Sequence, residues 1–126
     1  NQEPLEEIFP ECEKRGIGII IGSPYASGIL ATGSCEESKY GYTNVSEQMR
    51  NKVQSIEKIC EAHRIPIKAA ALQFPLAHPL VSSVIPGSLS AAQVLDNIEM
   101  LKCPIPSEFW IELKQAGLLH PEAPVK

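Results

Sequence analysis

The sequence predicts an α/β fold, parallel strands with flanking helices, in a single segment spanning residues 1–126. Three observations predict it. A short, β-branched, fully apolar run at residues 17–21 has the composition of a strand covered on both faces, which is the habit of parallel sheets, and residues 81–85 read as another short strand. Between them lie stretches with helical apolar spacing, so the connection is a helical crossover, and strands joined that way run parallel. Finally, two such strands cannot cover themselves, whereas a complete (β/α)₈ barrel takes about 250 residues, so this chain has the length of roughly half of one.

The elements follow in order. Pro4, Leu5, Ile8, Phe9 and Cys12 form a helical apolar stripe, with proline suited to a first turn and Gly16 placed to end the helix in a left-handed conformation; Pro10 is the discordant residue. Ile17-Gly18-Ile19-Ile20-Ile21 reads as a buried strand. Residues 23–44, rich in Gly, Pro, Ser, Thr and Tyr and lacking a sustained period, read as a long loop. From Ser46 the spacing Met49, Val53, Ile56, Cys60, His63 alternates steps of four and three, with Glu47 and Arg64 matching the helix dipole. Pro66 breaks this helix, and residues 67–77 form an Ala-rich one kinked by Pro75. The strand at 81–85 stops at Pro86-Gly87. Ser90 with Gln93 makes a capping-box pattern opening a helix whose apolar side carries Val94, Leu95, Ile98 and Leu101. A last helix covers residues 107–116, with Gly117 at C′ and Leu118 packing back on Leu113 in a Schellman ending.

Composition excludes several function classes. Fifteen acidic residues against eleven basic ones, a net charge of −4 and no Lys/Arg run leave no footprint for nucleic acid or an anionic membrane. No apolar run approaches the roughly 20 residues of a membrane span, and the start lacks the layout of a signal peptide, so a cytoplasmic location is expected. Cys12, Cys35, Cys60 and Cys103 form no C-x-x-C pair and are expected as reduced, partly buried thiols. His63, His78 and His120 are scattered, with capping or surface roles expected rather than metal ligation.

Three stretches carry a resemblance. Gly22-Ser23-Pro24-Tyr25-Ala26-Ser27-Gly28-Ile29-Leu30, then Ala71-Leu72-Gln73-Phe74-Pro75-Leu76-Ala77-His78, then Ser83-Val84-Ile85-Pro86-Gly87 followed by Asp96-Asn97, resemble consecutive landmarks of the aldo-keto reductases. The wording around them is similar to the branch containing D-threo-aldose 1-dehydrogenases and related sugar or pyridoxal dehydrogenases. The resemblance implies the C-terminal part of a TIM (β/α)₈ barrel, carrying a cofactor face for NAD or NADP. It implies that Ser23, Pro24, Tyr25 and Ser27, in the loop after barrel strand seven, lie along the dinucleotide pyrophosphate. Small residues at the carboxyl end of a strand suit that task, although an ordinary connecting loop, with Tyr25 seated on the barrel rim, would have the same composition. Gly22 stands where many members carry an aromatic residue that stacks on the nicotinamide, and glycine cannot stack.

The second cofactor element is Gly87, Ser88 and the start of the following helix, where unpaired amides and the helix dipole suit a phosphate. Ser90 and Gln93 have a structural alternative in the capping box. Gln93 falls where NADP-binding members place an arginine on the 2′-phosphate; glutamine has no charge to offer, so NAD, or a loose preference between the two, is expected. Asp96 and Asn97 match an acidic-Asn pair near the adenosine, or else form an exposed helix face.

The family's Asp, Tyr, Lys, His tetrad has no counterpart here. Tyr40 and Tyr42 have no Lys and His around them in sequence, so no catalytic residue is assigned and the chain alone is expected to be inactive. The expected partners are a nicotinamide dinucleotide and a small carbonyl or alcohol substrate, held by the complete barrel and shaped partly by residues 34–44 and the tail after Leu118. A non-catalytic nucleotide-binding or assembly module derived from the same barrel would carry the same motifs, and a stand-alone helical scaffold would leave their order unexplained. Standing alone, the open parallel edges should drive self-association.

Overall fold

The computed structural model describes residues 2–35, 39, 40 and 43–125. A 3₁₀ turn at Glu3–Leu5 precedes helix α1 (Ile8–Lys14), so the N-terminal apolar stripe is divided between two elements. The division accounts for Pro10, which falls in the first turn of α1 where its missing N–H costs no hydrogen bond. Gly16, at φ +65°, ends the helix; its N–H donates to Glu13 O at 3.1 Å and that of Ile17 to Cys12 O at 2.9 Å. Ile17 is thereby spent on the cap, and strand β1 covers Ile19–Gly22 instead of starting at residue 17.

β1 pairs in parallel with the strand at Val81–Ile85, matching Ile19 with Val81, Ile20 with Ser83, Ile21 with Val84 and Gly22 with Ile85. The slip between Ile19 and Ile20 leaves Ser82 as an extra residue, and its hydroxyl lies 2.9 Å from where a Cβ on Gly18 would be. A glycine at 18 therefore makes room for the bulge. Among the described residues only one face of this pair is covered: Ile20 and Ile85 are 61% and 60% exposed, whereas Val81 is buried. The expected cover on the other face must come from strands and helices that the described residues do not include.

The described residues between 23 and 44 hold more regular structure than their composition predicts. They hold a 3₁₀ turn at Ala26–Gly28, a single-turn helix α2 (Ile29–Thr32) and two short antiparallel strands, β2 (Lys39–Tyr40) and β3 (Thr43–Asn44). What builds α2 is one anchor, Ile29 at 1% exposure, together with the Thr32 hydroxyl donating to Gly28 O at 3.1 Å. Tyr42 lies outside the described residues.

Helix α3 (Glu47–His63) starts where expected, with Ser46 Oγ accepting from Met49 N–H at 3.2 Å. It ends at Arg64 in a left-handed conformation, φ 57°, with Ile65 N–H on Cys60 O at 2.8 Å. Helix α4 (Ile67–Gln73) stops before Pro75, which opens a separate 3₁₀ turn at Pro75–Ala77 instead of kinking a longer helix. Then come the second strand of the pair, β4 (Val81–Ile85), and helices α5 (Ala91–Lys102) and α6 (Ser107–Gln115). The Schellman ending of α6 is present, with Leu118 N–H on Leu113 O at 3.0 Å and Gly117 N–H on Lys114 O at 2.9 Å.

The main core lies among the helices, away from the sheet. Ile59 and Cys60 of α3, Ile65, Ala70 of α4, Phe109, Trp110 and Leu113 of α6, and Leu118 form it, with the Phe109 and Trp110 rings edge to face at 5.0 Å. Helix α4 is the hub, touching α2, α3 and α5. Gln73 ties it to the end of α5 by donating from Nε2 to Met100 O and Cys103 O, both at 2.8 Å. Near the chain ends, Gln2 donates to Leu118 O at 3.1 Å and accepts from His120 N–H at 2.7 Å.

None of the four cysteines is in a disulfide, and burial, followed by Glu57 and Glu61, raises the Cys60 thiol to about 11. The histidines serve separate contacts: His63 Nε2 lies 2.7 Å from Glu112 Oε2, His78 Nδ1 accepts from Leu80 N–H at 3.2 Å, and His120 Nε2 lies 3.3 Å from Glu6 Oε1. Among the described residues no group of three His, Cys, Asp or Glu could hold a metal, and no helix is long and apolar enough to cross a membrane.

Candidate functional site

The carboxyl ends of β1 and β4 lie side by side, so the segments after them begin as neighbours. Ser23 N–H donates to Ile85 O at 3.2 Å, carrying the parallel ladder one residue past β1. The chain then turns sharply: Ser23, Ala26 and Ser27 have φ of 51°, 50° and 62°, an unusual concentration of left-handed non-glycine residues within five positions. Much of this turn closes on itself. Ala26 N–H donates to Ser23 O, Gly28 and Leu30 N–H to Tyr25 O, and Ser27 N–H reaches Ser23 Oγ at 3.5 Å. Pro24 and Tyr25 are buried beneath, leaving Ser23 exposed and Ser27 partly so.

On the β4 side, Gly87, Ser88 and Leu89 are exposed and lead into α5. Ser90 caps that helix, its Oγ accepting from Gln93 N–H at 3.3 Å. The Gln93 side chain reaches back one residue further than a reciprocal capping box requires, Oε1 accepting from Leu89 N–H at 2.7 Å. Gln93 is therefore occupied in shaping the loop. The cap leaves the N–H groups of Ala91 and Ala92 at the exposed start of a three-turn helix, where the dipole is positive.

A buried hydrogen-bonded relay joins the two segments. Tyr25 Oη donates to Asn97 Oδ1 at 2.6 Å, and Asn97 Nδ2 donates to Ser88 Oγ at 3.0 Å. Tyr25 and Asn97 are 7% and 5% exposed, which removes Asn97 from the exposed helix face that residue type alone allowed. Burial, and then the Asp96 carboxylate, push the Tyr25 hydroxyl up to about 12, so it stays a protonated donor at neutral pH. Asp96 itself is exposed and paired with Lys68 Nζ, which sits 5.3 Å from the centre of the Tyr25 ring.

The nine residues singled out in the sequence thus gather at one end of the parallel pair, from two segments and one helix. Lys68 was not among them, although a signal existed: it is the only Asp, Glu, Lys or Arg between Arg64 and Asp96. Gly22 is exposed, and nothing lies within 4 Å of a Cβ built on it. The loop at 34–44 is fixed at its start, where Glu57 accepts from Ser34 N–H at 3.0 Å and from Ser34 Oγ at 2.6 Å, and Arg50 donates to Ser34 O and Cys35 O. Chemically, exposed serines and helix-start amides suit an anionic, hydroxyl-rich ligand.

In sequence and fold the chain is similar to known proteins. The model of the aldo/keto reductase family matches residues 1–117. Over 119 residues the chain is 35% identical to a pyridoxal 4-dehydrogenase of Microbacterium luteolum, and 34% to a D-threo-aldose 1-dehydrogenase of a Pseudomonas species. Each match takes in 94% of this chain but only 35% and 36% of those relatives. The fold matches that of an aldo-keto reductase from Bacillus halodurans, solved in holo form, with a TM-score of 0.70 at 24% identity over 95% of this chain and 39% of that one. The chain has the architecture of part of a (β/α)₈ barrel and spans little more than a third of its curated relatives.

Proposed function

This chain belongs to the aldo/keto reductase family, and from that premise we propose that it forms the dinucleotide-binding part of an NAD(P)-dependent oxidoreductase acting on a sugar or another small aldehyde or alcohol. The observation that carries the reading is the convergence of two segments, starting at Ser23 and Gly87, at the carboxyl ends of adjacent parallel strands, beside the start of α5. That is where barrel enzymes hold phosphate. The residues present fit a dinucleotide diphosphate: Ser23, Ser27 and Ser88 offer hydroxyls, Ala91 and Ala92 offer amides, and no lysine is needed.

When bound, the dinucleotide supplies hydride transfer; this chain's residues bind and orient it. Proton transfer to or from the substrate oxygen falls to groups outside the described residues, because the hydroxyl of Tyr25 is spent on Asn97. The chain by itself is accordingly inactive under this reading. Preference goes to NAD over NADP, since Gln93 is uncharged and holds Leu89 N–H, and the nearby Lys68 is already paired with Asp96. The dehydrogenases of pyridoxal and of an aldose among the relatives support the class of substrate.

Calorimetric titration of the purified protein with NADH and NADPH tests this. Saturable binding with NADH at least as tight as NADPH is expected. A folded sample that binds neither overturns the assignment, and much tighter NADPH binding overturns the preference.

A further inference from the structure

The relay between the two segments gives Tyr25 a task that its place in the loop does not announce. Asn97 is the one polar residue buried among those described, and a buried amide is tolerated only when its hydrogen bonds are made. It makes them to residues 72 and 9 positions away in sequence, one in each segment. With its oxygen taken by Tyr25, the amide presents its nitrogen to Ser88. Asp96, next in line on α5, holds Lys68 over the Tyr25 ring, so two successive residues of α5 brace the same side chain. Tyr25 is only 7% exposed, whereas Ser88 is exposed.

We propose that Tyr25 is a positioning residue that acts through Asn97 to fix Ser88 and its loop, coupling the two halves of the dinucleotide seat without touching the dinucleotide. The inference rests on the reading of the preceding subsection. It requires that residues 25 and 88, each bonded to Asn97, lose ligand affinity through one shared cause.

A double-mutant cycle on the purified protein, with NADH affinity as the readout, tests it. Tyr25→Phe keeps the ring under Lys68 and removes the donor; Ser88→Ala removes the other end of the relay. Each is expected to weaken NADH about 3- to 10-fold, the size of one hydrogen bond. The double variant is expected to be no weaker than the poorer single one. Multiplying effects, or an unchanged affinity in Tyr25→Phe, overturn the proposal, since a merely structural tyrosine would not act through residue 88. If Tyr25→Phe fails to fold, Lys68→Met, which frees the ring without deleting a bond in either loop, replaces it in the cycle with the same two outcomes. Wild-type protein that binds no dinucleotide removes the parent reading and this one together; a binding wild type with a multiplicative cycle removes the positioning role alone.

Discussion

Gly33 closes α2 at φ +83°, and a Cβ there would overlap Glu57 Oε1, the oxygen that also receives Ser34 N–H. Two costs add at this position, the left-handed backbone and the displacement of a carboxylate with two hydrogen bonds. Gly33→Ala is expected to lower stability by about 2 kcal/mol in denaturant unfolding, and a loss under about 0.5 kcal/mol would mean the loop re-forms around the methyl. Lys68 shows what residue-level reading of a sequence passes over. Its isolation among uncharged neighbours is visible, but the partner that gives it meaning lies on another helix, 28 residues on. Ser23, Pro24 and Tyr25 are legible as a turn; that Tyr25 faces inward and Ser23 outward depends on left-handed backbone at serine and alanine, which residue type does not signal.

At the scale of elements, caps were the most readable feature. Ser46 and Ser90 open α3 and α5 as their types require, and Gly16 and Gly117 end α1 and α6. Arg64 ends α3 with the same bond pattern as those glycines and gives no comparable sign, because its left-handed conformation is imposed by Ile65 entering the core. Helix α2 and the β2–β3 hairpin escaped detection for a related reason: each is too short to show a period. Ser90→Ala is expected to cost about 1 kcal/mol of stability by removing the acceptor for Gln93 N–H, measured as a shift in the denaturation midpoint. Stability unchanged within about 0.3 kcal/mol would show that the Gln93 bond to Leu89 suffices to hold the start of α5.

For the molecule as a whole, the order of landmarks made the parallel pair and its helical surroundings legible, while the extent of their cover was not. Apolar runs state that a strand wants two covered faces; they do not state which chain provides them. Here Ile20 and Ile85 face outward, and the apolar side of α5 is open along Val94, Leu95, Ile98 and Leu101. A surface of this kind is expected to associate. The polypeptide of residues 1–126 should sediment faster than a monomer in a concentration-dependent way, and Leu95→Glu with Ile98→Glu should restore the monomer. Monomeric behaviour at every concentration tested would contradict this.

The Gln2 side-chain amide joins the N-terminal segment to Leu118 and His120, with the Glu6–His120 contact beside it. Tension applied between residues 2 and 120 would load these contacts before it reached the helical core.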